Sequence, residues 1–390
     1  MLLKNQESSQ TKFLWTVAML QIIIMAIFFL LVRYDESASP TSSKTEGEGE
    51  ELLKFNLEAY PLGMDVFMML FAGFGYLMTF LKRYGMSAIG FTMIITVVVT
   101  EFAIVVFGVV RLDNDFVIKI GFIEIVEGGV VASAVLISFG VLLGKVNPLQ
   151  LLVMAVIECI FVVINCHIGY TIMGARDVGG SIFIHTFGAY FGLAVSFCLQ
   201  KINTEHSSHI EAPRYTSDMF SLLGTIILWV FWPSFNGILA VGAARHRCFI
   251  NTYISLMAST AWTFVLSGLL GNRRFCAEDI QNASLAGGVM VGATADMVLQ
   301  PYGAIVAGNP RYIIVLMGSG NFFEVMIIVV VVVLWFCCVC VIKCFSHNAE
   351  GARCYDVLLL SLCLVVLMMS CCCYYVFLVL LFLVLFIMSC

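Results

Sequence analysis

The chain has 390 residues, 61% of them hydrophobic and only 12% charged, with a formal net charge of −5 and a mean hydropathy of +1.01. A soluble domain carries about 25% charged residues, so a water-soluble protein is excluded and the chain reads as an all-α polytopic membrane protein. The negative charge leaves no footprint for nucleic acid. Continuous apolar runs of bilayer length argue against a β-barrel, whose strands alternate in segments of roughly ten residues.

Residues 1–12 form a short polar tail, expected to be cytoplasmic. The first apolar run, Phe13–Val32, is longer than a signal-peptide core and lacks a small-residue cleavage site, so it reads as a retained span. Residues 33–64 are acidic and rich in Ser, Gly and Glu, and are expected to be a solvated, mobile loop. Further spans are expected at about Asp65–Leu81, Ser87–Val110, Ile120–Leu143, Leu149–Tyr170, Asp177–Leu199, Met219–Ala240, Phe249–Leu270 and Ile280–Leu299. Pro233 is expected to interrupt the span that contains it. With the N-terminus inside, inner segments through Arg274 carry nine Lys/Arg and outer segments eight, so charge does not set the orientation.

Ten of the 15 cysteines fall between Cys337 and Cys390, inside apolar runs, so they do not read as a disulfide framework. No cofactor or metal site is indicated. Motifs of hydrolases, metalloproteases and phosphate-binding loops are absent, and catalytic readings fail.

A faint internal repeat is present. Met64-Asp65-Val66-Phe67 is followed 153 residues later by Ser217-Asp218-Met219-Phe220, and Gly128-Gly129-Val130 is followed 159 residues later by Gly287-Gly288-Val289. Each pair is five spans apart. An odd number of spans per repeat inverts the second copy, an arrangement of transporters with a site near the midplane. Chance matches of short apolar strings are the alternative.

The ionisable residues within spans mark the candidate site. Asp177 opens the sixth span, where its carboxylate can cap helix N–H groups or add negative potential to a pore mouth. His185 lies about two turns deeper, on one face with Gly188 and Gly192. A histidine bonded to a neighbouring helix is the structural alternative. Phe235 and Asn236 follow Pro233, and an aromatic face can meet a cation. Ser181 joins Asp177 and Asn236 as a vestibule candidate. Glu101, Glu127, Glu158 and Asp296 are candidates for interhelical pairing.

Several motifs resemble one family. DVGGSIFIHTFGAYFGL (177–193), LWVFWPSFN (228–236), QNASLAGGV (281–289) and ADMVLQPYGA (295–304) are similar to the Rh glycoproteins of the ammonium-transporter superfamily. FGYLMTFLKRYGMSAIGF (74–91), FGVLLGKVNPLQLL (139–152) and HRCFINTYISL (246–256) resemble it too. The resemblance covers residues 13–308, read as an Rh-like transmembrane domain. It implies twelve spans in a five-plus-five inverted repeat and a homotrimer or Rh-type heterotrimer. It also implies one narrow hydrophobic pore per subunit, passing ammonia or ammonium across the plasma membrane. On the same basis Asp177 matches an outer recruitment carboxylate, His185 the first of two pore histidines, and Phe235 one of two gating phenylalanines.

Three positions depart from the resemblance. The second gating phenylalanine aligns with Gly129, the usual Asn-Glu of the fifth span reads Asn165-Cys166, and no second pore histidine is found. Its expected place near 338–344 reads CVCVIKC, and His347 lies in loop-like company. Beyond Gly308 the chain becomes a monotony of Val, Leu, Cys and Phe. Residues 309–390 read as a gene-model artefact, translated intron or shifted frame, that truncates the second repeat; a divergent membrane tail is the rival. The leading functional expectation is a Rh-type ammonia/ammonium channel. The alternatives are a non-conducting membrane scaffold subunit and a carbon dioxide channel.

Overall fold

The computed structural model describes residues 2–35, 38, 48–112, 116–199, 214–270, 275–297 and 300–309. The expectations for the tail therefore fall outside the described residues, apart from Asn309. Among the described residues, eight helical segments are long and apolar enough to cross a membrane. The protein is a multi-pass membrane protein, and its chain divides into two compact units.

Unit 1 comprises Met1–Ala175 and Ile210–Ile227. Its helices are α1 (Leu2–Leu31), α2 (Glu48–Met68), α3 (Gly75–Leu77), α4 (Gly85–Val110), α5 (Phe122–Leu142) and α6 (Pro148–Cys166). Residues 215–227 of α8 (Tyr215–Gly237) also belong to it. A π-helical stretch, Met69–Phe74, joins α2 to α3 and extends that span to Phe80. Another, His167–Ile172, prolongs α6.

Local sequence explains the boundaries. Asn147 caps α6 by accepting from Gln150 N at 2.8 Å, the Gln150 amide oxygen accepts from Asn147 N at 3.0 Å, and Pro148 takes the first turn, where its missing N–H costs nothing. Glu124 accepts from Gly121 N at 2.8 Å as α5 begins. Small residues let helices approach where lipid offers no hydrophobic drive between them. A Cβ on Gly128 would lie 2.8 Å from Thr100 O of α4, and one on Gly224 would lie 2.8 Å from Leu77 Cα.

Two expectations of local structure are revised here. The acidic loop does not extend to residue 64, because α2 starts at Glu48 and carries Pro61 within it. A short ladder accompanies the helices of this all-α polytopic fold. β1 (Val32–Tyr34) and β2 (Ile118–Ile120) form a parallel ladder in which Val32, Arg33 and Tyr34 pair Ile118, Lys119 and Ile120, extended by Asp35 N donating to Ile120 O at 2.9 Å. α8 runs through Pro233 without a break to Gly237.

Two of the candidate carboxylates pair between helices as expected. Arg111, just past α4, bonds Glu127 of α5 through two hydrogen bonds of 2.6 and 3.0 Å and lies over the Phe107 ring. Glu158 of α6 accepts from Ser138 Oγ of α5 at 2.5 Å.

Unit 2 comprises Arg176–His209 and Leu228–Cys390. It holds α7 (Phe187–Cys198), residues 228–237 of α8, α9 (Ala243–Leu270), α10 (Ala277–Gly292) and α11 (Gln300–Ala307). α10 ends at Gly292, short of the expected Leu299, and turns follow it. α9 and α10 pack closely because α10 is small where they cross. A Cβ on Gly287 would lie 2.7 Å from the Ser255 carbonyl carbon, Ser255 Oγ donates to Gly287 O at 2.7 Å, and Ser259 Oγ donates to Ser284 O at 2.8 Å.

Candidate functional site

The site is built on the turn that precedes α7. Gly180 has φ +68°, a left-handed conformation that favours glycine, and it reverses the chain directly after Asp177-Val178-Gly179. The turn brings the buried Asp177 carboxylate over the next helix start, where Oδ2 accepts from Ile182 N and Phe183 N, each at 2.8 Å. Ser181–Thr186 then coil as a π-helix, with His185 N donating to Gly180 O at 2.9 Å. Such wide turns recur at functional positions because they redirect a side chain. Here the displaced side chain is His185.

The end of α10 clasps this turn. Gly179 N donates to Gly292 O at 3.0 Å, Ser181 Oγ donates to Val289 O at 2.5 Å, and Ala293 N donates to Ser181 Oγ at 2.7 Å. The approach needs bare α-carbons, since a Cβ on Gly179 would lie 2.7 Å from Gly292 Cα. Asn236, fully buried, donates from Nδ2 to Thr252 Oγ1 at 3.0 Å and to Gly288 O at 3.1 Å. Ser181 and Asn236 thus hold the walls of the site to α9 and α10.

His185 sits in an aromatic cluster. Its ring stacks on Trp232, with centroids 5.5 Å apart and planes 19° apart, and meets Phe235 at 5.7 Å and 58°. Trp232 and Phe235 are one turn apart on α8, which directs both rings the same way. The His185 side chain is buried, and its Nε2 has no hydrogen-bond partner among the described residues. Asp177, Ser181, His185, Phe235 and Asn236 are therefore brought together in unit 2 with Trp232. Trp232 is the residue of this cluster that the sequence motifs do not single out, because it reads as part of the proline motif. Its spacing of three from Phe235 is the signal that could have found it. The positions expected for a second histidine, 338–344 and 347, lie outside the described residues.

A model of the Ammonium Transporter Family matches residues 23–329. The chain belongs to the ammonium transporter family, on its Rh branch. The matched stretch runs past Gly308, where the motif resemblance ends. Over 269 residues the chain is 47% identical to the mouse ammonium transporter Rh type B, covering 68% of this chain and 59% of that protein. Over 313 residues it is 43% identical to the human ammonium transporter Rh type B, covering 79% and 67%. The chain thus spans about 59% of the mouse relative.

The solved structure of Nitrosomonas europaea Rh50, of the Rhesus protein family of channels, superposes with a TM-score of 0.67 at 26% identity, over 84% of this chain and 89% of that one. Saccharomyces cerevisiae Mep2 shares the fold, with a TM-score of 0.61 at 16% identity, over 73% and 72%. The all-α polytopic fold class is that of these relatives.

Proposed function

We propose that this Rh-branch chain conducts ammonia, drawn from ammonium, across the plasma membrane through a narrow apolar path that includes His185, Trp232 and Phe235. One observation carries the reading: a buried imidazole on a membrane-spanning segment, stacked on Trp232 and edged by Phe235, with Nε2 unpartnered among the described residues. Such a nitrogen can exchange a hydrogen bond or a proton with a passing amine. Moving a bare ammonium ion into a low-dielectric interior costs of order 20 kcal/mol, so the neutral molecule crosses, with its proton carried separately or left behind.

Asp177 contributes negative potential at the mouth while holding the start of the π-helix, and Ser181 and Asn236 fix the mouth's walls. The relatives named as ammonium transporters support the substrate, and assembly as a homotrimer or Rh-type heterotrimer belongs to the same reading. Uptake of labelled methylammonium by vesicles carrying the full-length chain tests it. Saturable uptake that is lost in His185→Ala is the expected result. No saturable uptake sinks conduction and leaves a non-conducting scaffold. Unchanged uptake in His185→Ala removes the imidazole from the path.

A further inference from the structure

Unit 1 gathers positive charge at one end. After α5 the chain turns at Gly144, whose φ of +81° favours glycine, and a Cβ there would lie 2.8 Å from Tyr84 Cε2. The Arg83 guanidinium lies over the same Tyr84 ring, 5.6 Å from its centroid. The loop of Lys82-Arg83-Tyr84 is thereby held against that of Gly144-Lys145. The first turn of α8 joins them: Thr79 Oγ1 donates to Ser217 O at 3.3 Å, and Ser221 Oγ donates to Leu77 O at 2.8 Å. Arg214 lies just before that turn, its carbonyl accepting from Ser217 Oγ at 2.7 Å. Lys82, Arg83, Lys145 and Arg214 are all exposed. Over residues 78–87, 143–147 and 214–218, Asp218 is the one carboxylate set against these four cations.

The opposite end of the same unit is balanced. α4 carries the chain from Gly85 to Val110, about 39 Å at 1.5 Å per residue. There, around the β1–β2 ladder, Arg33, Arg111 and Lys119 stand with Asp35, Glu124 and Glu127. Arg111 is paired with Glu127, and Arg33 donates to Val32 O at 2.7 Å. Among the described residues, Lys82, Arg83 and Arg214 make no ion pair. The nine-to-eight tally along the chain hides this asymmetry because it adds segments of both units. Phe13 of α1 meets Phe91, in the second turn of α4, with ring centroids 5.9 Å apart. α1 then runs on to the ladder, so it starts from the basic end.

We propose that this basic end of unit 1 is a docking surface for the headgroups of anionic phospholipids in the cytoplasmic leaflet. The side of the membrane follows from the excess of Lys and Arg close to span ends. Arg83 offers a planar fork to phosphate oxygens, and Lys82 and Lys145 offer compact charges. The setting selects a lipid as the occupant. These loops terminate membrane-spanning helices, so headgroups lie at their level. Met86, 87% exposed, and Tyr215, 78% exposed, flank the cations with surface for the upper acyl chain. Tyrosine is enriched at this depth because its ring is apolar and its hydroxyl is wet.

The test titrates detergent-solubilised full-length protein with phosphatidylserine and with phosphatidylcholine, counting bound lipid by native mass spectrometry. The unaltered chain binds phosphatidylserine more tightly. Lys82→Gln, Arg83→Gln and Lys145→Gln each lower that preference by about fivefold, the worth of one cation near an anionic surface. Each side chain is exposed, and any one folded variant carries the test. Arg33→Gln combined with Lys119→Gln removes charge from the ladder end and leaves the preference unchanged. Equal binding of the two lipids by the unaltered chain overturns the inference, as does an equal loss in the ladder-end variant. Displacement of phosphatidylserine by millimolar inorganic phosphate overturns it by marking a site for free anions. Tighter binding of a polyglutamate peptide than of phosphatidylserine overturns it by assigning the face to an acidic protein segment. Binding is read without transport, so its failure is distinct from a failure of conduction.

Discussion

Trp232 lies nearly parallel to the imidazole of His185, at a centroid distance of 5.5 Å. The contact joins residues 47 apart in sequence and fixes the one ionisable ring buried in this aromatic cluster. Stacked aromatic pairs are worth about 0.5–1.5 kcal/mol beyond their burial. Trp232→Leu should therefore reduce methylammonium uptake by up to about tenfold while leaving surface expression near wild type. Uptake equal to wild type would show that the stack does not position His185.

Asp177 combines a charge with a cap, and two substitutions separate them. Asp177→Asn keeps an acceptor for Ile182 N and Phe183 N. It should preserve most of the thermal stability in detergent while lowering uptake at limiting methylammonium. Asp177→Ala removes the cap as well and should cost a further ~1 kcal/mol of stability. Equal melting of the two variants would count against the capping role.

Ser181 is bonded on both sides to the end of α10. Ser181→Ala leaves Ala293 N–H buried without its acceptor, at a cost of about 1–3 kcal/mol. A lowered melting temperature in detergent is the expected observation. An unchanged one would mean that the clasp adds nothing to unit 2.

The helix crossings at Gly128 and Gly287 tolerate no side chain. Gly128→Ala forces a Cβ to 2.8 Å from Thr100 O, and overpacking of this kind costs about 1–3 kcal/mol. Size-exclusion profiles of detergent extracts should show less monodisperse protein. Arg111→Met gives a contrast, because Arg111 is half exposed in its pair with Glu127, and exposed pairs are worth at most about 1 kcal/mol.

The spans were readable because their apolar runs match bilayer thickness and end at charged or Pro/Gly punctuation, as at Lys82-Arg83 and Asn147-Pro148. The start of α2 was not. Glu48-Gly49-Glu50-Glu51 has the composition of a solvated loop, yet it lies in a helix that continues into the membrane span. Pro233 misled in the opposite direction. Neighbouring contacts carry α8 past it, and Asn236 is tied to α9 and α10 rather than left beside a break. At the site, Asp177 and His185 were visible as ionisable residues in an apolar setting. Trp232 was hidden because stacking across 47 residues leaves no local periodicity.

The short ladder between β1 and β2 constrains topogenesis. β1 follows the first span and β2 precedes α5, with two spans, those of α2 and α4, between them. Three residue pairs in register require both strands to emerge on the same side of the bilayer, which an even number of intervening crossings satisfies. Were one of the two intervening helices to fail to cross, these strands would be stranded on opposite faces. The ladder can therefore form only after both intervening spans have crossed and residue 120 has left the ribosome.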